Sequence, residues 1–323
     1  MDKRDNRITI NALNANQRFD KFLLKYMNQA GKAFIYKMLR KKRIKLNGGK
    51  AEGNEILQEG DIITFYIAPE TIEGMFEQRP VGANIALPAL PPPNIIFEDD
   101  NILIADKPSG LLIHAEKLGD DTLIDRVINY LHQKGVYDPT QQGSFAPVCA
   151  NRLDRNTSGI VACAKNLPSA QALAAAFRER NTKKYYVAVV CGKVDKKVVV
   201  HNYLSKDSTT NTVGANKTPT QNGKEALTEF EPVKVGSNYT VVKVLLHTGR
   251  THQIRAHLQS IGHSIIGDPK YGNKQANDFY RKKHGITSQL LHAAELTITD
   301  DTFLSYLSGK TFTAPLSKEF SYF

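Results

Sequence analysis

The chain has 323 residues, and its 43 Lys and Arg outnumber its 32 Asp and Glu, which gives a formal net charge of +11. This balance favours a polyanionic partner, either nucleic acid or an acidic membrane surface. Three cysteines, at spacings that fit neither a disulfide framework nor a zinc site, indicate a reducing compartment. The first residues do not resemble a signal peptide, and no run approaches the ~20 apolar residues that span a bilayer, so we expect a cytoplasmic protein.

The first 66 residues contain 14 Lys and Arg against seven Asp and Glu, and so carry +7 of the net charge. An amphipathic helix, with Asn14 or Asn16 as its cap, is predicted by the apolar residues Phe19, Phe22, Leu23, Tyr26 and Met27. Beyond Gly31, a second helix is predicted by Phe34, Ile35, Met38 and Leu39. A basic cluster without acidic residues lies on and just past the other face of this helix: Lys37, Arg40, Lys41, Lys42, Arg43 and Lys45.

A hairpin is predicted next, because residues 43–46 alternate with period two and lead into Asn47-Gly48-Gly49, a turn signal. Residues 60–66 are predicted to form a further strand. Together these elements predict a small α/β domain over residues 1–68. Residues 69–93 are rich in proline among small residues and predict an extended, semi-rigid linker.

Residues 94–323 are predicted to form a second, larger domain in which strands outnumber helices. Strands are predicted at 95–98, 102–106, 159–164, 184–190, 240–246 and 291–297, and helices at 122–134, 169–180 and 251–261. Because strands and helices do not alternate regularly, we expect an α+β fold with a mixed, mainly antiparallel sheet. The polar stretch 205–224 is predicted to be a loop.

A polar segment, residues 151–159 (NRLDRNTSG), directly precedes the predicted strand at 159–164. One interpretation is an ordinary turn, since Asp, Asn, Thr, Ser and Gly favour bends. The other is a carboxylate, Asp154, that a loop holds between Arg152 and Arg155, where it stays ionised and can attack an electrophilic carbon.

A second polar segment, residues 249–258 (GRTHQIRAHL), is predicted to be a turn and a helix that Thr251 caps. Its histidines do not have the spacing of a zinc hydrolase site. One interpretation is a basic helix that faces solvent or phosphate. Arg255 is the residue in it best suited to pair with a buried carboxylate, and Arg250 is the competing candidate.

A third segment, residues 184–188 (KYYVA), is a predicted strand with Tyr186 on the face opposite Tyr185 and Val187. A tyrosine in such a strand is more often half-buried packing than a catalytic group.

These three segments resemble the signature motifs of the RluA, RluC and RluD family of pseudouridine synthases, and they occur in the family's order along the chain. The family patterns are His-Arg-Leu-Asp-x-x-Thr-Ser-Gly, Lys-x-Tyr-x-Ala and Gly-Arg-x-His-Gln-Ile-Arg-x-His. Residues 106–111, 262–272 and 291–293 are also similar to family blocks. One position departs from the pattern, because Asn151 stands where the family usually has His.

The first 68 residues separately resemble a small RNA-binding domain shared by a small-subunit ribosomal protein and several RNA-modifying enzymes. The matching residues are Arg18 to Asp20, Lys37 to Arg40, Ile44 to Gly48, and Gly60 with Asp61. This domain is expected in front of the catalytic domain in the RluC and RluD branches.

The resemblance implies an RNA pseudouridine synthase with the pseudouridine synthase fold, which acts on structured RNA, foremost large-subunit ribosomal RNA, without metal or cofactor. We expect it to be monomeric. It implies that Asp154 is the catalytic carboxylate, Arg255 its ion-pair partner and Tyr186 the ring that stacks on the base. Arg152 would fill the space that the flipped nucleotide leaves. The remaining RNA contacts are assigned to Arg250, His252, Gln253, Lys37, Arg40, Lys41, Lys42 and Arg43.

Two other classes of protein are alternatives to a pseudouridine synthase. A non-catalytic RNA-binding or ribosome-assembly protein with the same fold would not need Asp154 together with Tyr186 and Arg255. A DNA-binding protein with a basic N-terminal helix would leave the three motifs unexplained.

Overall fold

The computed structural model describes residues 6–11, 14–27, 29–68, 71, 90–117, 119–138, 145–207, 212–219, 223–299 and 303–323. These residues belong to two compact units. The first comprises Met1–Pro92, Val127–Val148 and Ala164–Gln171, and the second comprises Pro93–Arg126, Cys149–Cys163 and Ala172–Phe323. Over the same residues, no helix has the length and apolar character that crossing a bilayer requires.

The beginning of the chain forms a four-stranded sheet with two helices. The strands are β1 (Arg7–Thr9), β2 (Ile44–Leu46), β3 (Gly49–Lys50) and β4 (Ile62–Phe65), in the order β1-β4-β2-β3, and the helices are α1 (Phe19–Tyr26) and α2 (Lys32–Arg40). The apolar stripes of both helices are buried with the inward side chains of the sheet, among them Phe19, Phe22, Ile35 and Phe65. Burial of this apolar surface is what holds so small a unit together.

The predicted helices and hairpin of this unit are confirmed, but the predicted cap is wrong. Arg18 precedes the first turn of α1 in an extended conformation, and no side chain caps that end. Asn16 instead adopts a left-handed conformation. Asn47 and Gly48 are both left-handed (φ of 49° and 75°), which is the backbone that a tight two-residue hairpin turn needs.

The second unit contains most of an 11-stranded sheet, counted over the described residues. Its central path runs β11-β10-β12-β13-β9-β14-β8-β6-β5, while β15 pairs with β14 and β7 with β8. The strands are β5 (Asn94–Glu98), β6 (Ile102–Lys107), β7 (Val148–Cys149), β8 (Ser158–Ala164), β9 (Thr182–Cys191), β10 (Val198–Asp207), β11 (Thr212–Asn216), β12 (Lys224–Val235), β13 (Tyr239–Leu246), β14 (Leu291–Ile298) and β15 (Thr311–Thr313). The other α-helices of the described chain are α3 (Leu123–Gln133), α4 (Leu167–Arg178), α5 (Gln253–Ser260) and α6 (Lys274–His284).

Most strand pairs in this sheet are antiparallel, whereas β14 pairs with β8 in parallel. The predicted α+β fold with a mixed, mainly antiparallel sheet is therefore confirmed. Gly159 allows the parallel pair to form, because a Cβ at this position would lie 2.3 Å from the carbonyl oxygen of Ala293. Its φ of +107° also favours glycine.

Two sequence predictions on loops have different outcomes. The loop predicted at 205–224 is wrong: β10 continues to Asp207, and β11 pairs with it from Tyr203↔Asn216 to Asp207↔Thr212. The loop was predicted because the stretch is rich in polar residues. Strands near a sheet edge can carry such residues, since one of their faces can be exposed to water. Most of the linker predicted at 69–93 lies outside the described residues, which resume at 90 and enter β5 at Asn94.

Candidate active site

The loop that carries Asp154 leads into β8 and is fixed from the neighbouring β6 side. Lys107, the last residue of β6, is fully buried, and its Nζ donates to the carbonyl oxygens of Pro108 (3.0 Å), Leu111 (2.8 Å) and Arg155 (2.9 Å). Gly110 N also donates to Arg155 O (2.9 Å). Because the carbonyl next to Asp154 is held by two donors, the carboxylate is carried on a backbone with little freedom to move.

Asn151, at the position where the resemblance expects His, has a structural role in this loop. Its Nδ2 donates to the carbonyl oxygen of Ile160 (3.2 Å), and its Oδ1 accepts from the backbone N–H of Ala162 (2.8 Å). The side chain thus pairs with the β8 backbone as an extra strand residue would. These contacts explain how the loop keeps its conformation without the usual His.

Arg255, on α5, connects two carboxylates that are far apart in the sequence. Its Nε and Nη2 donate to Oδ2 and Oδ1 of Asp268 (2.7 and 2.9 Å), a bidentate pair with a side chain that is 0% exposed. Its Nη1 donates to Oδ2 of Asp154 (2.8 Å), whose side chain is 27% exposed. The buried carboxylate therefore orients the guanidinium, which in turn orients the accessible carboxylate.

Asp268 is held by backbone groups as well as by Arg255. Its Oδ1 accepts from the N–H groups of Lys270 (2.8 Å) and Tyr271 (3.0 Å), and its carbonyl oxygen accepts from Asn277 Nδ2 (2.9 Å). Gly272 is required here, because a Cβ would lie 2.2 Å from the Asp268 carbonyl oxygen. These hydrogen bonds, together with those from Arg255, satisfy the buried carboxylate of Asp268, which Arg255 alone would leave with unused acceptor positions.

Tyr271 and His252 line the side of the site next to Arg255. The centroid of the Tyr271 ring lies 4.9 Å from the guanidinium carbon, a cation–π contact. The Tyr271 hydroxyl lies 3.0 Å from His252 Nδ1 and accepts from the Val213 N–H (2.6 Å). His252 Nε2 lies 3.9 Å from Oδ2 of Asp154. His252 thus approaches the Asp154 carboxylate, and Tyr271 packs behind it against Arg255.

Tyr186, on β9, is buried in a cluster that also contains Leu153, Ile254 and Leu258. Burial, and then the charge of Asp154, raise the pKa of Tyr186 above its usual value. The phenol of Tyr186 is therefore harder to ionise than that of an exposed tyrosine.

Burial and the nearby carboxylates shift the pKa values of the basic groups around Asp154. Burial lowers the pKa of Arg255, but the hydrogen bonds and charges of Asp268 and Asp154 outweigh it and raise that pKa overall. Burial lowers the pKa of Lys107 to about 7, against the opposing effect of Asp154 and Asp106. Burial also lowers the pKa of His252. The guanidinium of Arg255 thus keeps its positive charge beside Asp154.

Comparisons with known proteins place the chain in a family. The family described as RNA pseudouridylate synthase matches residues 101–260. The protein named ribosomal large subunit pseudouridine synthase C from Vibrio vulnificus is 33% identical over 286 residues, which are 88% of this chain and 85% of that protein. The protein of the same name from Vibrio cholerae is 34% identical over 284 residues, 87% of this chain and 85% of that protein. The chain belongs to the RNA pseudouridylate synthase family.

The solved structure of human RNA pseudouridylate synthase domain containing 4 has the same fold. Its TM-score is 0.56 at 21% identity, and the match covers 71% of this chain and 90% of that one. This match concerns the fold alone. The activity follows from the sequence matches to the Vibrio proteins, which make the chain an RNA pseudouridine synthase, an isomerase, and argue against the non-catalytic and DNA-binding alternatives.

Within this pseudouridine synthase, the predicted site residues fall into two groups. Asp154, Arg255, Tyr186 and His252 lie together, and Arg255 rather than Arg250 pairs with Asp154. Arg250 is exposed and donates to the Glu225 carbonyl oxygen (3.1 Å). Arg152 is also exposed, on the loop itself.

The helix in the segment 249–258 differs from its predicted description. Gln253 and His257 are 2% and 0% exposed, so the interpretation of α5 as a helix facing solvent or phosphate is wrong. Gln253 Oε1 accepts from Thr248 Oγ1 (2.8 Å) and from the Arg250 N–H (3.0 Å). Gln253 therefore fixes the turn that precedes α5. Thr251 does not cap the helix, since its N-cap residue is His252 and no side chain bonds that end. The buried bonds of Gln253 do not favour its predicted RNA contact.

The sequence alone assigns no role to Lys107, Asp268 or Tyr271, although all three stand in blocks that are similar to the family. A signal exists for Asp268. A buried guanidinium needs more acceptors than a single, partly exposed carboxylate supplies, so a second acidic residue is to be expected near Arg255.

Proposed function

We propose that this pseudouridine synthase modifies uridines in large-subunit ribosomal RNA and that Asp154 is the carboxylate that acts on the target nucleotide. The observation that carries the proposal is the pairing of Asp154 Oδ2 with Arg255 (2.8 Å), beside the ring of Tyr186. A carboxylate that a guanidinium holds in one orientation is a suitable nucleophile.

The reaction breaks the bond from N1 of uracil to C1′ of the ribose, turns the detached base, and joins C5 to C1′. C5 loses its proton and N1 gains one, so the reaction involves no net redox change or hydrolysis. Asp154 can start it by adding to the uracil ring, or by attack at C1′ in the manner of a retaining glycosidase. Neither route requires a metal or an organic cofactor.

The target uridine must leave its stack before Asp154 can reach it. Base extrusion costs a few kcal/mol and is cheapest in loops and bulges, where proteins also read RNA sequence. In this proposal the Tyr186 ring stacks on the extruded base, and the exposed Arg152 occupies the space left in the RNA. His252 and Arg250 contact the nucleotides next to the target.

The charge of residues 1–68 supports a role for them as an RNA-binding domain, joined through residues 69–93 to a catalytic domain of residues 94–323. The side chains of Lys37, Arg40, Lys41, Lys42 and Arg43 are all exposed. Exposed lysines and arginines bind RNA mainly through phosphates, with little sequence preference. This domain would then supply affinity, and the catalytic domain the chemistry.

Ribosomal RNA is the proposed substrate because both Vibrio relatives are named for the large ribosomal subunit. Pseudouridine should be mapped across ribosomal and transfer RNA in a strain that lacks the protein, in the same strain carrying the wild-type gene, and in that strain carrying Asp154→Asn. Uridines of the large-subunit RNA should lack the modification in the first and third strains. An effect confined to transfer RNA would contradict the proposed substrate, and a wild-type map in the third strain would contradict the role of Asp154.

A further inference from the structure

Helix α6, which follows the Asp268 turn, has one face directed to the site and another exposed to solvent. Its inward side chains include Asn277, whose Oδ1 accepts from the Gly267 N–H (2.8 Å) and whose Nδ2 donates to the Asp268 carbonyl oxygen (2.9 Å). Tyr280 is also inward, 7% exposed in a cluster with Ile266. Because Asp268 holds Arg255, the helix is tied to the site through a short series of hydrogen bonds.

The outward face of α6 combines a large exposed aromatic ring with lysines. Phe279 is 54% exposed, although Tyr280 beside it is buried. Lys282 and Lys283 follow Phe279 at i+3 and i+4, so all three side chains share one face. Lys283 Nζ lies 5.6 Å from the centroid of the Phe279 ring. Among the described residues, neither lysine forms an ion pair, whereas the Asp278 carboxylate is taken by Arg281.

We propose that this face of α6, formed by Phe279, Lys282 and Lys283, binds an unpaired nucleotide of the substrate RNA outside the catalytic site. An aromatic ring flanked by cations matches single-stranded RNA, since every base has a face that can stack and every nucleotide brings a phosphate. The inference rests on the proposed function, because it takes RNA as the substrate. It adds a second point of contact that fixes the RNA relative to Arg255 and Asp154.

Charge favours RNA over a protein partner on this face. The helix contains Lys274, Arg281, Lys282 and Lys283 against the single acidic residue Asp278. An apolar protein interface would be depleted of lysine at its centre, whereas here lysines flank the exposed ring. The face therefore has the composition of a nucleic-acid contact surface.

The test measures the affinity of the full-length protein for a fragment of large-subunit ribosomal RNA. Phe279→Ala should weaken binding about tenfold or more, which corresponds to the removal of one stacked base, and should leave the salt dependence of the affinity unchanged. Lys282→Ala/Lys283→Ala should also weaken binding, and should flatten the plot of log affinity against log salt by about 0.7 for each phosphate that is no longer bound. Phe279→Trp should bind the RNA about as tightly as the wild type, because it keeps an aromatic face.

The matched control is Lys193→Ala/Lys196→Ala, which removes the same charge from two exposed lysines elsewhere on the surface. The expected effects lie in the dissociation constant, and not in the single-turnover rate at saturating RNA. Wild-type affinity for both α6 variants, or an equal weakening in the lysine control, would overturn the inference. Tritium release from C5-labelled fragment by the wild type is measured in parallel. If the wild type releases no tritium from this RNA, the proposed substrate is contradicted, whatever the affinities of the α6 variants.

Discussion

Arg255 donates to only one of the two carboxylate oxygens of Asp154. Its Nη1 bonds Oδ2 at 2.8 Å, and His252 Nε2 is nearest to the same oxygen at 3.9 Å. Within the described part of the chain, Oδ1 accepts no hydrogen bond. Oδ1 is therefore the oxygen that keeps its lone pairs available, and Oδ2 is the one that fixes the orientation of the carboxylate.

Asp154→Asn should abolish turnover while leaving the fold and RNA binding nearly intact. The amide keeps the shape of the side chain but removes the charge, and removal of a nucleophile typically lowers turnover by ~10³- to 10⁶-fold. Tritium release from RNA labelled at C5 of uridine measures the activity, and filter binding measures the affinity. Activity within tenfold of the wild type would remove Asp154 from the mechanism.

Arg255→Ala should lower activity by about 10² to 10³, the usual effect when a fixed electrostatic partner is removed. It should also destabilise the protein by about 3–5 kcal/mol, because Asp268 would stay buried without its guanidinium. Arg250→Ala is the matched comparison, since the exposed Arg250 side chain donates to the Glu225 carbonyl oxygen rather than to a carboxylate. Urea unfolding and tritium release test both. The prediction fails if Arg250→Ala is the inactive and less stable variant.

The triple substitution Lys37→Gln, Arg40→Gln, Lys41→Gln should weaken binding to ribosomal RNA and reduce its salt dependence. For each phosphate that is no longer bound, the plot of log affinity against log salt should flatten by about 0.7–0.9. The same removal of charge at Lys21, Lys25 and Lys32, which are exposed on other turns of the two helices, is the control. Equal slopes for the two triple variants and the wild type would show that this cluster does not contact the RNA.

His257→Leu should make the protein less sensitive to acid. Burial, and then the charge of His201, lower the pKa of His257 to about 4 from 6.5, and neither ring nitrogen has a hydrogen-bond partner in the described structure. Between pH 6.5 and 4 the unfolded chain binds a proton at this residue that the folded chain does not. Above pH 6.5 His257 therefore does not change the free energy of unfolding with pH. As the pH falls from 6.5 to 4, the free energy of unfolding declines by about 3 kcal/mol, at ~1.4 kcal/mol per pH unit.

The free energy of unfolding of the wild type and of His257→Leu, measured between pH 8 and 4, tests this prediction. The free energy of unfolding of His257→Leu should fall less steeply below pH 6.5 than that of the wild type. At pH 7.5 the variant should not be much less stable, since the substitution removes two unsatisfied polar atoms. His114→Gln, at an exposed histidine, is the control. Parallel curves for the wild type and His257→Leu would show that His257 does not titrate in this way.

Gly159→Ala should destabilise the protein by roughly 2–4 kcal/mol, because its Cβ would overlap the Ala293 carbonyl oxygen and its backbone is left-handed. Activity should fall with stability, since β8 carries the Asp154 loop. Gly214→Ala is the control, as its nearest contact would be Ser205 Oγ at 3.9 Å. Thermal unfolding that is unchanged in Gly159→Ala would show that the two strands can separate at no cost in stability.

Much of the fold was predictable from periodicity, and one source of the exceptions is a buried polar residue within a strand. On β12 the inward residues are Ala226, Thr228 and Phe230, and the buried Thr228 interrupts the apolar alternation. Its hydroxyl accepts from Gln253 Nε2 (2.9 Å), a partner 25 residues away that the sequence does not reveal. A polar residue is buried where a distant group satisfies it, and local patterns cannot show that group.

The same limit applies to the candidate site. Asp154, Tyr186 and Arg255 could be identified because their motifs carry a family resemblance, and the structure brings the three together. The second carboxylate, Asp268, and the buried amine of Lys107 act through three-dimensional contacts with Arg255 and with the Arg155 carbonyl. Neither contact follows from spacing along the chain.

The position of β14 has a consequence for the order in which the protein matures. β14 lies between β9, which bears Tyr186, and β8, which follows the Asp154 loop, yet it is synthesised long after both. During translation these two strands have no neighbour to join them until residues 291–298 have left the ribosome. Contacts of such long sequence separation form slowly. The nascent chain therefore brings Tyr186 and the Asp154 loop together only late in its synthesis, once β14 is available to pair with both strands.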